Sequence, residues 1–123
     1  MLIHESAEDY LETILMLCNQ HGSARSVDIA SHLGVSKPSV SFAMKKLREN
    51  GYILMGDDNR ITLTESGCAI ARRVLDRHDL LCRMLMQLGV SEETARADAC
   101  KMEHDLSDET FAAIRKHLSV SQE

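Results

Sequence analysis

Val27-Asp28-Ile29-Ala30-Ser31-His32-Leu33-Gly34-Val35-Ser36-Lys37-Pro38-Ser39-Val40-Ser41 is the stretch that decides the fold. Val27, Ala30 and Leu33 recur at helical spacing, which predicts a short helix. Gly34 follows as the residue that can close it in a left-handed turn. Ser36 is suited to cap a second helix, and Pro38 is tolerated in its first turn. Val40, Ala43, Met44 and Leu47 supply the buried face of that second helix, and Asn50-Gly51 ends it. Two short helices joined by a tight turn form a helix-turn-helix.

The flanks extend this unit. Downstream, Tyr52-Ile53-Leu54-Met55 and Arg60-Ile61-Thr62-Leu63 are strand candidates, with a hairpin turn at Gly56-Asp57-Asp58-Asn59. Helix, turn, helix and hairpin is the order of a winged helix. Upstream, Ser6 with Asp9 three residues on reads as a capping-box variant, so a helix is expected over 6–20. Thr64 should cap a long helix over about 65–88, Ser91 one over about 92–104, and Ser107 one over about 108–118. The expected architecture is mainly α. A winged helix-turn-helix DNA-binding domain with a small β-hairpin wing occupies 1–70. A helical metal-binding and dimerisation domain follows at 71–123, with the boundary inside the long helix.

Composition narrows the classes. Apolar residues make up 44% of the 123 and aromatics 3%, with no Trp, so the core must be aliphatic. No apolar run approaches the roughly 18 residues of a membrane span. The opening Met1-Leu2-Ile3-His4-Glu5 lacks the basic and long apolar regions of a signal peptide. A cytoplasmic location is therefore expected, with Cys18, Cys68, Cys82 and Cys100 as thiols. The net charge of −5 disguises an uneven distribution. Residues 25–60 carry six basic against four acidic side chains, a net +2, and the remainder carries −7. Local charge governs phosphate contact. The N-terminal residues of the second helix of the motif reach base edges. Here those are Ser36, Lys37, Pro38, Ser39 and Ser41. Lys45, Lys46 and Arg48 are placed for phosphates, as is Arg60 beside the wing turn.

A second constellation lies outside this reader. In Cys100-Lys101-Met102-Glu103-His104, a helix would set a thiol, a carboxylate and an imidazole on one face. These are three groups that bind a transition metal. Asp9 and Glu12 form another i, i+3 pair near the start, and His78 lies on the long helix. Singly, each has an ordinary explanation, such as a first-turn acid or a small buried thiol. Jointly, flanking a DNA reader, they suggest a metal-sensing transcription factor.

With these residues in view, the chain resembles the diphtheria toxin repressor and manganese transport regulator family of metal-dependent repressors. Ser6-Ala-Glu-Asp-Tyr-Leu-Glu-Thr-Ile14 is similar to the family's opening helix, and Val35-Ser-Lys-Pro-Ser-Val-Ser41 to its recognition helix. Leu63-Thr-Glu-Ser-Gly67 and Arg77-His-Asp-Leu-Leu81 are similar to its wing exit and linker helix. Cys100-Lys-Met-Glu-His-Asp-Leu-Ser107 is similar to its metal motif and is the most specific of these.

The resemblance implies a homodimer that binds a palindromic operator in duplex DNA when Fe²⁺ or Mn²⁺ is bound, repressing metal-uptake genes. Carried over by position, it groups Asp9, Cys100, Glu103 and His104 in one site. Glu12 and His78 fall in a neighbouring site, with Glu103 able to bridge. The set is a hybrid. The iron-responsive branch has a thioether where Asp9 stands, and the manganese-responsive branch a carboxylate where Cys100 stands. Two ancillary positions of the iron branch hold Cys82 and Arg96. His4, Asp105 and His117 are expected bystanders. The short form of the family, without its SH3-like third domain, is the expected one. Leu80, Leu81, Met84, Leu85 and Leu88 present more apolar surface than a small lobe can hide, which also points to a dimer. The expectation is a regulator and not an enzyme. The alternatives are a metal-independent or thiol-redox-sensing winged-helix regulator, and a small metallohydrolase using the same ligands.

Overall fold

The computed structural model describes residues 5–121 and contains six helices and one two-stranded sheet among them. The order is α1 (Glu5–His21), α2 (Ser26–Leu33), α3 (Lys37–Glu49), β1 (Ile53–Met55), β2 (Ile61–Leu63), α4 (Glu65–Gln87), α5 (Glu92–Met102) and α6 (Asp108–Ser121). The fold class is the mainly helical, winged one expected. The chain divides into two compact units, Met1–Arg73 and Val74–Glu123, and the division falls within α4.

In the first unit, α1 packs against α2, α3 and β2. Leu11, Ile14, Ile29, Val40, Met44, Leu47, Ile53 and Ile61 fill its core, each at most 2% exposed. Burying each such side chain stabilises by about 1.5–3 kcal/mol relative to leaving it in water. The helix α1 begins one residue before the expected cap, so Ser6 lies inside its first turn. The turn between α2 and α3 forms as its residues dictate. Gly34 adopts φ 68° and donates its N–H to the Ala30 carbonyl at 2.9 Å. The Ser36 hydroxyl accepts the Ser39 N–H at 3.3 Å, capping α3.

The wing is an antiparallel hairpin pairing Ile53 with Leu63, Leu54 with Thr62 and Met55 with Ile61. Asn59, at φ 64°, makes its turn. A bridge from Ala24 to Ile61 ties the hairpin base to the chain ahead of α2. Thr64 then does two jobs. Its hydroxyl donates to the Gly51 carbonyl at 2.7 Å and accepts the Gly67 N–H at 3.2 Å, capping α4. Gly67 is required for a different reason: a Cβ there would stand 2.0 Å from the Tyr52 carbonyl oxygen.

In the second unit, Leu80, Leu81, Cys82, Ala95, Ala99, Phe111 and Leu118 form the core, with Met84, Leu85, Val90, Met102, Leu106 and Ile114 packed against it. The side chains of Ser91 and Ser107 cap α5 and α6 by accepting the Thr94 and Thr110 N–H groups. Arg77 pairs with Asp108 and lies over the Phe111 ring at 4.3 Å, and Arg115 pairs with Asp76. The apolar surplus expected on α4 is smaller than its sequence implies. Leu80 and Leu81 are at most 4% exposed, because the unit's own core absorbs them. What remains outward is Met86, near the end of α4, and Leu88, in the turn just past it and 74% exposed. No helix among the described residues is long and apolar enough to cross a membrane.

Candidate metal centre and nucleic-acid interface

The hydrogen-bonded helix α5 stops at Met102, so the motif straddles a helix end and does not lie on one continuous face. Cys100 is in the last turn of α5. Glu103 caps it with φ −60° and ψ −25°, its N–H still bonded to the Ala99 carbonyl at 3.0 Å. His104 and Asp105 form the turn that follows. This ending turns the Glu103 side chain fully inward, where it is 0% exposed.

The carboxylate lies between two imidazoles. Its Oε2 is 3.2 Å from Nδ1 of His78, which α4 contributes, and its Oε1 is 3.4 Å from Nε2 of His104. One donor atom each from His78, Cys100 and Glu103 lie within 4.8 Å of one another. Cys100 thus groups with His78 and Glu103, while His104 meets the carboxylate oxygen that does not face His78.

The donors fit a divalent transition ion. Among the described residues, neither oxygen of Glu103 makes a hydrogen bond, although both are buried. A carboxylate removed from water is costly unless a cation or donors compensate it. Nitrogen, sulfur and oxygen atoms at about 2.0–2.3 Å from a common ion lie at most about 4.6 Å apart, so the cluster needs only small side-chain shifts. The set mixes soft thiolate, borderline imidazole and hard carboxylate.

The other residues singled out from sequence are placed as follows. Asp9, half-buried, and Glu12, buried, lie on α1 of the first unit. Cys82 belongs to the core of the second unit, its thiol 4.0 Å from the Met86 sulfur. Arg96 pairs with Glu92 on the surface of α5. Asp105 and His117 are exposed, and His4 lies outside the described residues. Cys18 donates its thiol to the Ile61 carbonyl at 3.7 Å. Burial, with Cys68 as a second cause, pushes that thiol's pKa up, away from the thiolate form that reacts and binds metal.

The basic face of the first unit is built on α3. Lys37, Pro38, Ser39, Ser41, Lys45 and Lys46 are all exposed, as is Ser36 at its cap. Ser36 and Ser39 share a hydroxyl hydrogen bond of 2.8 Å, so their side chains are oriented before any partner arrives. Arg60 is held within the wing turn, its Nε 3.0 Å from Asp58. Between α3 and the wing lies a cleft of about 520 Å³ bordered by Arg25, Lys45, Arg48 and Asn59. Arg25 was not among the residues expected from sequence. It precedes α2, and only the folded turn carries it to Lys45 and Arg48. Phe42 was also missed, although it falls outside the Val40, Met44, Leu47 spacing and is therefore legible as an outward apolar residue.

Comparison with known proteins agrees with this geometry. Residues 2–58 match the family model of the iron dependent repressor N-terminal DNA binding domain. Residues 64–123 match that of the iron dependent repressor metal binding and dimerisation domain. The transcriptional regulator MntR of Escherichia coli O6:H1 is 42% identical over 111 residues, covering 90% of this chain and 72% of that protein. The structure of the manganese regulator SloR superposes with a TM-score of 0.82 at 28% identity, covering 97% of this chain and 55% of that one. A manganese-dependent transcriptional repressor in complex with manganese superposes with a TM-score of 0.83 at 32% identity, covering 92% and 52%. The chain spans about half the length of these two solved structures.

Proposed function

Because the chain belongs to the iron dependent repressor family, we propose that it is a divalent-metal-activated DNA-binding repressor of metal-uptake genes. Its effector is Fe²⁺ or Mn²⁺. It acts in the cytoplasm as a homodimer on a palindromic operator, and it is a regulator and not an enzyme. The observation that carries this reading is Glu103, a fully buried carboxylate whose two oxygens face His78 and His104, with Cys100 in the same cluster. Such a group has no evident role in a regulator indifferent to cations.

His78, Cys100, Glu103 and His104 would hold the ion. Asp9 and Glu12 stay in the proposal as donors on the sequence pattern alone. When bound, a divalent cation supplies the positive charge that the buried carboxylate lacks. The chain's own residues do the rest. Glu103 offers one oxygen to each side, the imidazoles offer neutral nitrogen, and Cys100 sets the preference among ions through its softness. The protein's equilibrium between DNA-binding and non-binding states then shifts by the difference in metal affinity between them. Lys37 and the serines of α3 meet base edges, while Lys45, Lys46, Arg48 and Arg60 meet phosphates. The domain assignment is 1–70 for DNA and 71–123 for metal and dimerisation, with Met86 of α4 and Leu88 in the turn that follows as the outward apolar residues.

Operator binding measured with His78→Ala and His104→Ala tests the assignment. Both variants should remain folded dimers and lose the metal dependence. Full metal-dependent binding by either one removes that histidine from the site.

A further inference from the structure

Phe42 is 65% exposed on α3, the helix whose other exposed residues, Pro38 apart, are polar or charged. Its position is not accidental exposure at a helix end. Val40, Met44 and Leu47 are buried at 2% or less, and Pro38, Phe42 and Lys45 follow one another at i, i+4 and i+7 on the opposite face. The flanking residues Ser39 and Ser41 are small. Phe42 is therefore the most protruding apolar group on the surface that enters the major groove. The Lys46 ammonium lies over its ring, 5.3 Å from the centroid. This cation–π contact steadies both side chains. It leaves an apolar edge framed by Lys45 and Lys46, a charge pattern complementary to a groove floor between two phosphate chains.

The apolar group that a B-DNA major groove offers is the 5-methyl of thymine, and aromatic side chains pack against it. We propose that Phe42 is a specificity-determining residue that reads a 5-methyl group, so that each half-site carries thymine at one position opposite it. The discrimination does not use hydrogen bonds. Cytosine is disfavoured there because it lacks the methyl group, and 5-methylcytosine is accepted. This inference rests on the DNA-binding reading above and adds the chemistry by which one position is chosen.

The test begins with a 20-base-pair duplex selected by the full-length protein with Mn²⁺ from a randomised pool. The duplex is then resynthesised with deoxyuridine replacing thymine at one position at a time. Deleting one buried methyl weakens binding about fourfold, so substitution in both half-sites should weaken it roughly fifteenfold. The loss should occur at one symmetric position. At that position, 5-methylcytosine should bind about fourfold better per half-site than cytosine. Phe42→Ala should bind the thymine and uracil duplexes equally, whereas Phe42→Leu should keep the preference. The residue is exposed, so both variants should fold; circular dichroism and light scattering check this. Equal binding of all uracil duplexes by the parent overturns the proposal. So does a methyl preference that survives in Phe42→Ala, or a change of oligomeric state as the main effect of that variant. A parent that selects no duplex at all refutes the DNA-binding reading itself, which distinguishes the two failures.

Discussion

Replacing Glu103 by Gln should make the metal-free protein more stable and the metal-loaded protein less responsive. The side chain is 0% exposed, and among the described residues its oxygens make no hydrogen bonds. Burial of an ion costs several kcal/mol after relaxation, partly offset here by imidazoles at 3.2 and 3.4 Å. Glutamine keeps the volume, removes the charge and brings an N–H donor to the ring nitrogens. Replacing a buried ion pair by well-packed residues of similar volume is often neutral or stabilising by 1–4 kcal/mol, and a gain of about 1–2 kcal/mol is expected here. In a domain of this size that is a rise in Tm on the order of 5–10 °C in EDTA. With Mn²⁺ at about one hundred times its dissociation constant, the parent should gain about 2.7 kcal/mol through linkage. The variant should gain little, because it has lost the charged donor. The assay is thermal unfolding by circular dichroism, with EDTA and with Mn²⁺. The two proteins should change rank between conditions. A variant that is less stable in EDTA and still shifts fully with Mn²⁺ refutes the claim that Glu103 is buried for the sake of a cation.

Other outcomes follow from the same structure. Lys37→Ala should relax sequence preference, whereas Lys45→Ala should weaken binding to all duplexes and flatten the logarithmic salt dependence by about one unit; fluorescence anisotropy across a salt series reads both. Gly67→Ala should cost roughly 2–4 kcal/mol in urea unfolding, because a Cβ 2.0 Å from the Tyr52 carbonyl must break the Thr64 bonds to Tyr52 and Gly51. A Gly67→Ala protein as stable as the parent would contradict the tight junction of wing and α4. Cys100→Glu should move activation of operator binding towards Mn²⁺ relative to Fe²⁺, since it replaces the soft donor by a hard one. An unchanged rank order would show that the thiolate does not set selectivity.

Most of the fold was legible because local signals and tertiary structure agree. Gly34, Ser36 and Pro38 mark the turn whatever surrounds them, and Asn59 sits where a hairpin needs positive φ. The helix ends were less legible. The periodicity of Cys100, Glu103 and His104 continues through the point where α5 stops, and only packing reveals that Glu103 turns inward. For the same reason the residue types of the candidate centre could be read, but not which imidazole faces which oxygen. Gly67 carried no turn signal, because its requirement is a close approach of the Tyr52 backbone, just ahead of β1. Leu80 and Leu81 misled in the opposite sense, since hydrophobicity alone does not say whether a residue faces its own core or a partner.

Operator affinity as a function of free Mn²⁺ and Fe²⁺, measured on one selected duplex at fixed salt, tests the central claim most directly. Chelated protein should bind weakly, and either ion should raise affinity at least tenfold. Glu103→Gln should abolish the rise while leaving the weak metal-free binding intact. Equal affinity of the parent in EDTA and in saturating Mn²⁺ and Fe²⁺ would contradict that claim.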